Sequence, residues 1–251
     1  MMPGAGRTTG LLVRPKQVWQ EVVDVLLRRI VTGAYAEGSA LPTEAELVAE
    51  LGVSRPPVRE AMKVLREKGL VRMDQGRRSV VLDRSAWNAL DPAVLTTELE
   101  NPHRHGRIFE DLSFVRIALE AQMARLAAVR ATARQVGQMR AEVEAMASLT
   151  DEPDRYLEHD LRFHELVIDA AGNRIAAAIM ANIAQPLRQS RRLTNRIPGG
   201  MGPTQEFHAR ILDRIAARDP DGAAEAMREH LEWSLLRFTE LVADASSLGQ
   251  D

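Results

Sequence analysis

The sequence predicts a mainly α-helical protein with an N-terminal winged helix-turn-helix and a C-terminal all-α helical bundle. Two short helices and a two-stranded wing fit the segment Leu41–Leu82. Beyond it, strand signals disappear and apolar residues recur at helical spacing. The first 82 residues carry 13 Lys and Arg against 9 Asp and Glu, whereas the other 169 carry 20 against 26. A basic head on an acidic body is typical of a DNA-reading module joined to a sensing module.

Composition excludes several classes of protein. No run approaches the roughly 20 apolar residues of a membrane span, and no signal peptide opens the chain, so we expect no membrane partner. Cysteine is absent, which excludes disulfides and thiolate metal ligands and fits the reducing cytoplasm.

The first helix of the Leu41–Leu82 segment has clear start and stop signals. Thr43 can cap it, and Glu46 three residues later completes a capping box. Gly52 follows the last apolar position and suits a C-terminal stop. The sequence therefore predicts a short helix that ends in a tight turn.

The second helix is the candidate recognition helix. We expect Ser54 to cap it, with two prolines in the first turn, where a missing N–H matters little. One face is apolar, formed by Val58, Ala61, Met62 and Leu65, and the basic residues lie largely off it: Arg55, Arg59, Lys63 and Arg66. Any amphipathic helix exposes charges, but a basic helix after a tight turn is typical of a helix-turn-helix.

A wing follows the second helix. Leu70, Val71 and Met73 predict one strand, Gln75-Gly76 a turn, and Ser79 to Leu82 a second strand. Arg77 and Arg78 at the turn have no core to serve and can meet phosphates or the minor groove. The segment therefore predicts binding to double-stranded DNA.

This segment resembles the winged helix-turn-helix of the GntR family of bacterial transcription regulators. IVTGAYAEGSALPTEAEL matches the approach to the DNA-binding helices, and VSRPPVREAMKVLREKGLV matches the recognition helix and first strand. The resemblance implies DNA contacts at Ser54, Arg55, Arg59, Gly76 and Arg77. Ala45 and Arg78 depart from the family pattern, in which arginine and glycine are common at those positions.

The rest of the chain is organised around helices. We expect a disordered tail over 1–14, the DNA-binding domain over 15–82, a linker over 83–91, an all-α sensing domain over 92–245 and a tail over 246–251. The expected helices are Pro92–Glu100, Gly106–Val129, Thr132–Leu149, Pro153–Ala170, Arg174–Asn195, Pro203–Arg218 and Asp221–Ala245. Pro186 should kink the fifth of these or end it early.

Histidines give the next signal. Asp160 and His164 lie four apart on one helix and so share a face, which suits a metal ion. His208 and His230 lie on two later helices beside apolar residues and can complete a site of three histidines and one carboxylate. His159 points about 100° away from Asp160 and is excluded. The alternative is that these are hydrogen-bonded core histidines.

Residues from about 108 to 242 resemble the FCD ligand-sensing domain of the FadR-like branch of GntR. The matching motifs are VRIALEAQMARLAA, DLRFHELVIDAAGN and FHARILDRIAARDPDGAAEAMREHL. The resemblance implies that Asp160, His164, His208 and His230 bind a divalent metal ion, with zinc favoured and nickel, manganese or iron as alternatives. It also implies that Arg116 faces the cavity and binds a carboxylate effector. The alternative for Arg116 is a surface ion pair with Glu120 at i+4.

Together these observations predict a homodimeric regulator, a repressor of a catabolic operon, that reads a palindromic operator. The segment SAWNALDPAVLTTELE resembles the linker of FadR-branch regulators of sugar-acid catabolism, which suggests a sugar acid as the effector. Two alternatives stay open: a metal-dependent hydrolase, because such a site can activate water, and a sensor in which the metal itself is the signal.

Overall fold

The structure, a computed structural model, describes residues 17–73, 78–101, 104–197 and 201–248, with side chains through residue 240. The chain divides into two units, Met1–Asn88 and Ala89–Asp251. Helices dominate both units, and strands occur only as one small pair among the described residues. The mainly α fold class is confirmed. No described helix is long and apolar enough to cross a lipid bilayer.

The described residues of the first unit form three α-helices, a short antiparallel ribbon and a 3₁₀ turn at Arg84–Ala86. Their bounds are α1 Val18–Val31, α2 Glu44–Leu51, α3 Arg55–Glu67, β1 Val71–Arg72 and β2 Val80–Val81. Val71 pairs with Val81, and Ala40 forms a bridge to Val80 on the other side of β2. Helix α1 was not among the predicted helices. It buries one face, which includes Leu26 and Ile30, and packs against α3.

The predicted ends of α2 are confirmed. The backbone N–H of Thr43 donates to Glu46 Oε2 at 2.6 Å, and the N–H of Glu46 donates to Thr43 Oγ1 at 3.3 Å. Gly52 ends the helix in the left-handed region, with φ of 65°, which glycine adopts without steric strain. The turn between α2 and α3 is therefore fixed by local sequence.

Ser54 occupies the N-cap position of α3, but the predicted capping bond is wrong. Its side chain accepts no capping hydrogen bond. An N-cap oxygen normally accepts from the second or third helical N–H, and here those residues are Pro56 and Pro57, which have none. The Ser54 hydroxyl therefore has no capping role.

The predicted wing is only partly covered by the structure. Residues 74–77 lie outside the described residues, so the Gln75-Gly76 turn and the roles of Gly76 and Arg77 remain predictions. The described strands are shorter than predicted, two residues each.

The second unit is a bundle of helices. Their bounds are α4 Pro92–Glu100, α5 His105–Arg130, α6 Ala133–Ala147, α7 Pro153–Ala171, α8 Arg174–Asn182, α9 Ala184–Thr194, α10 Met201–Ala216 and α11 Pro220–Leu248. The single helix predicted over Arg174–Asn195 is wrong, because the chain breaks at Ile183. Pro186 then falls in the first turn of α9, where its missing N–H has no partner to lose.

Helix α5 runs through the middle of the bundle. It packs against α7, α10 and α11, while α10 also packs against α11 and α6. Small residues such as Ala124, Ala127 and Ala128 are fully buried on α5 and allow its neighbours to approach closely. Helices α5, α7, α10 and α11 therefore surround a common interior.

Candidate metal centre and DNA-binding surface

Four predicted ligands meet in the interior of the bundle. Helix α7 contributes Asp160 and His164, α10 contributes His208, and α11 contributes His230. All four are buried, none more than 3% exposed. One ligand atom from each can be chosen so that all lie within 4.8 Å of one another. A single ion has a coordination sphere about 4 Å across, so the four atoms lie close to the spacing that one ion requires.

Three of these side chains already share a contact. Asp160 Oδ1 lies 3.0 Å from His208 Nε2 and 3.7 Å from His164 Nε2. The two Nε2 atoms are 3.4 Å apart. The donor set, two imidazole nitrogens facing one carboxylate oxygen, is one that zinc and similar divalent ions accept.

Other side chains fix the orientation of two imidazoles. His164 Nδ1 contacts the carboxylate of Glu120 on α5. His208 Nδ1 lies 3.1 Å from the hydroxyl of Tyr156, which is 3.5 Å from Gln205 Oε1. Partners at Nδ1 leave the Nε2 lone pair of each ring facing the cluster, the arrangement that surrounds metal-binding histidines.

His230 lacks such a partner. Its Nδ1 is buried and makes no hydrogen bond within the part of the chain that the structure describes. A buried polar atom of this kind is destabilising unless a ligand or ion satisfies it. The third imidazole of the cluster therefore has a buried ring nitrogen that no described protein group satisfies.

Burial keeps two imidazoles neutral. It lowers the pKa of His164 to about 4, helped by the positive charge of Arg191. It also lowers the pKa of His230 well below the usual range, helped by the neighbouring His208. Neutral imidazole is the form that binds metal ions.

Two buried arginines balance two buried carboxylates beside the imidazoles. Arg191 donates from Nη1 to Asp160 Oδ2 at 2.8 Å and from Nη2 to Glu120 Oε2 at 3.5 Å. Arg116 donates from Nε to Glu120 Oε1 at 2.8 Å. Burial alone would raise the pKa of Glu120, but these arginines hold that pKa well below its usual range. Arg191 has the same effect on the pKa of Asp160.

The alternative interpretation of Arg116, a surface ion pair with Glu120, is correct about the partner and wrong about the location. The i,i+4 pair with Glu120 is present, but it is buried, with side-chain exposures of 5% and 1%. The reason is that this face of α5 points at α7 and α11 rather than at solvent. Arg116 therefore belongs to the same charged group as Asp160.

A polar cleft adjoins the four ligands. It is lined by Arg116, Asp160, Arg191, Thr194, Asn195, Ile197, Thr204, His230, Trp233, Ser234 and Arg237. Its free volume is only about 10 Å³, room for about one water molecule. A larger cavity of about 310 Å³ also borders His164 and Arg191, but its walls are mostly apolar residues of α7, α8 and α9. An anion needs polar and positively charged partners, so the polar cleft suits it better than the apolar cavity, although that cavity is larger.

Sequence reasoning did not assign four of these residues to the site: Glu120, Tyr156, Arg191 and Asn195. Of these four, only Glu120 could be identified from the sequence, as the possible ion-pair partner of Arg116 at i+4. By contrast, His159 lies outside the cluster, where its Nδ1 is 2.7 Å from Glu142 Oε2.

The predicted DNA-contacting residues of α3 lie on its exposed face. Ser54, Arg55 and Arg59 are all exposed. Arg59 Nε is 2.9 Å from Glu44 Oε2 on α2, and 60% of the arginine side chain is exposed. A phosphate or a guanine edge can replace such a partner because an exposed ion pair is weak.

Comparison with known proteins identifies both parts of the chain. The model of the bacterial regulatory proteins of the gntR family matches residues 19–81, and the FCD domain model matches residues 111–232. The galactonate operon transcriptional repressor of Escherichia coli (strain K12) is 32% identical over 221 residues, 88% of this chain and 96% of that protein. The transcriptional repressor NanR of Salmonella newport is 31% identical over 219 residues, 84% of this chain and 80% of that protein.

A solved structure supports the fold. Lar, which controls the expression of the Listeria monocytogenes agr system, is 19% identical with a TM-score of 0.59, and the match covers 91% of this chain and 99% of that one. The sequence matches carry the family assignment: this chain belongs to the GntR family of bacterial transcription regulators, with an FCD domain as its C-terminal part.

Proposed function

We propose that this regulator represses a catabolic operon by binding a palindromic operator as a homodimer in the bacterial cytoplasm. A small carboxylate effector, a sugar acid, binds at a divalent metal ion in the second unit and controls DNA binding. One observation carries the proposal: Asp160, His164, His208 and His230 converge in a buried cluster in which His230 Nδ1 has no protein partner among the described residues.

The residues present fit a metal ion. Asp160 and the three histidines would hold it, with zinc favoured and nickel, manganese or iron also accepted by such ligands. When bound, the ion supplies open coordination positions for oxygen atoms of the effector. Glu120 and Tyr156 act on the ligands themselves, because each holds one imidazole through Nδ1.

Charge balance favours an anionic effector. Arg116 and Arg191 balance Glu120 and Asp160, and metal-bound imidazoles are neutral. A divalent ion therefore leaves two uncompensated positive charges in a buried site. Unpaired buried charge is strongly unfavourable, so the site should attract an anion, and Arg116 beside the cleft can bind its carboxylate.

The relatives support the effector class. The E. coli relative is named as the repressor of a galactonate operon, and galactonate is a sugar acid. Such an acid has a hydroxyl next to the carboxylate, so the two can occupy neighbouring positions on one metal ion. The family assignment decides against the hydrolase alternative.

The dimer and the palindrome follow from the size of the recognition element. One helix reads only a few base pairs, so useful specificity needs two half-sites. Sedimentation should therefore show a dimer at micromolar concentration. A monomer with full operator affinity would contradict this part of the proposal.

The experiment is a pair of matched histidine variants. His208→Ala should lose stoichiometric metal in elemental analysis and lose the change in operator affinity that a panel of six-carbon sugar acids produces. His159→Ala removes a neighbouring histidine outside the cluster and should keep both. If metal alone changes the operator affinity and no acid adds to it, the metal is the signal and the acid-responsive mechanism is wrong.

A further inference from the structure

Three buried side-chain atoms without a partner belong to residues that line the polar cleft. They are Asn195 Nδ2, Arg191 Nε and His230 Nδ1. The remaining buried unpartnered side-chain atom of the described residues, Arg104 Nε, lies near Glu98 in another part of the bundle. Unsatisfied buried groups are rare in folded proteins, so these three need partners that the described part of the protein does not supply.

A metal ion accounts for only one of them. It can take the lone pair of His230, but it cannot bind the N–H groups of Asn195 and Arg191, which are donors. Each donor needs an oxygen acceptor. Arg116 can bind the carboxylate of an acid, and these two donors then remain for other oxygen atoms of the same molecule.

The two donors are held in place. Asn195 follows Arg191 by four residues, one turn later on the same face of α9. The backbone N–H of Asn195 donates to the carbonyl oxygen of Arg191 at 2.9 Å, so this last turn is intact. Both terminal nitrogens of Arg191 are engaged, Nη1 by Asp160 and Nη2 by Glu120. Only Nε of the guanidinium is left over, and Asn195 is 7% exposed.

We propose that Asn195 Nδ2 and Arg191 Nε bind hydroxyl oxygens of the effector chain behind its carboxylate. These residues then determine specificity, because they favour a polyhydroxylated acid over a simple carboxylate that would leave both donors unpaired. This inference rests on the proposed function, since it takes the polar cleft as the effector site. The cleft has room for about one water molecule in this structure, so it must widen to admit the effector.

The test uses the zinc-loaded full-length protein and isothermal titration calorimetry. The probes are a panel of six-carbon aldonates that differ in hydroxyl configuration, and glycolate, which has the carboxylate and one hydroxyl only. Asn195→Leu keeps the approximate shape of the side chain and removes the donor. The control is Ala181→Phe, which narrows the apolar cavity from an exposed position on α8.

In the wild type, the best aldonate should bind roughly tenfold or more tightly than glycolate, the difference expected for one or two additional hydrogen bonds. Asn195→Leu should remove most of this preference by weakening the aldonate alone. Its melting temperature should not fall, because the lost group had no partner; a role in folding would lower it. Ala181→Phe should bind both acids as the wild type does.

The possible results distinguish a failure of this inference from a failure of the proposed function. If the aldonate is preferred and Asn195→Leu keeps the preference, the inference is wrong and the proposed function stands. Equal binding of aldonate and glycolate by the wild type also overturns the inference alone. If Ala181→Phe rather than Asn195→Leu weakens the aldonate, the ligand occupies the apolar cavity and the inference is wrong. If no acid binds to protein that contains zinc, the proposed effector class fails, and the inference fails with it.

Discussion

The candidate DNA-binding surface and the candidate metal centre of this regulator hold their charged side chains in opposite ways. In the first unit, Arg59 pairs with Glu44 and Arg78 with Glu46, and between 41% and 60% of each side chain is exposed. Exposed pairs of this kind contribute only about 0–1 kcal/mol. They can therefore be exchanged for DNA phosphates and bases without disturbing the fold.

At the candidate metal centre in the second unit, the charges are almost completely buried. The pairs Arg116–Glu120 and Arg191–Asp160 have side-chain exposures of 5% or less. Removing one member of a buried pair leaves the other uncompensated, so these charges are fixed in place. One site therefore keeps its charges exchangeable for a large polyanion, whereas the other holds its charges fixed around the predicted ligand atoms.

The largest expected effect is on stability. Asp160→Ala leaves Arg191 buried with a lost partner, and we expect the free energy of unfolding of the metal-free second unit to fall by about 3–5 kcal/mol. Chemical denaturation followed by circular dichroism measures this. The matched control is Asp154→Ala, which breaks exposed pairs with Arg192 and Arg196 and should change nothing measurable. Equal effects of the two variants would remove the contrast between buried and exposed charges.

The next effect is on metal affinity. Glu120→Gln leaves the four predicted ligands in place but weakens the partner of His164 Nδ1, and such changes typically lower metal affinity by about 10–100-fold. Competition with a chromogenic chelator measures it. Glu142→Gln alters the equivalent partner of His159 outside the cluster. If both variants bind zinc as the wild type does, Glu120 does not orient a ligand.

The residues of the candidate metal centre also show which features could be predicted from the sequence. The i,i+4 rule placed Asp160 and His164 on one face because helix geometry is local, and the family resemblance supplied His208 and His230. The contact between Glu120 and His164 joins residues 44 positions apart, and it depends on how α5 packs on α7. No local pattern contains that information, and the same holds for Arg191 and Asp160, which lie on α9 and α7.

The first unit shows the opposite case. The ends of α2 were predictable because Thr43, Glu46 and Gly52 each act through local backbone groups. The capping role predicted for Ser54 was wrong, although the reason is local too. Pro56 and Pro57 have no N–H that could donate to the serine side chain. The break at Ile183 could not be placed from Pro186 alone, because a proline fits both a kink inside a helix and the first turn of a new one.

On the DNA side, Arg59→Ala should weaken operator binding by about 1–3 kcal/mol if the arginine contacts a guanine, without a change in metal content. Fluorescence anisotropy at physiological salt measures the affinity. Lys63→Ala is the control, since Lys63 is an exposed cation paired with Glu60 one turn further along α3, and it should have a smaller effect. Wild-type affinity for Arg59→Ala and Arg55→Ala would show that α3 does not read DNA as proposed.

The smallest expected effect tests whether the exposed ion pair of Arg59 can be exchanged for contacts with DNA. Glu44→Gln removes the exposed partner of Arg59 and should raise operator affinity a few-fold, because the arginine no longer leaves an ion pair worth about 0–1 kcal/mol. The gain should shrink as salt is added. A loss of affinity would show that Glu44 positions Arg59 for DNA rather than competing with it.

The central claim, that an acid at a buried metal centre controls DNA binding, is tested most directly by one titration. Operator affinity of zinc-loaded protein is measured with increasing concentrations of six-carbon aldonates, in parallel for the wild type and His208→Ala, each relative to its own affinity without acid. We expect a saturable change in the wild type and none in His208→Ala, which should also lack stoichiometric zinc. An unimpaired response in His208→Ala without metal would contradict it.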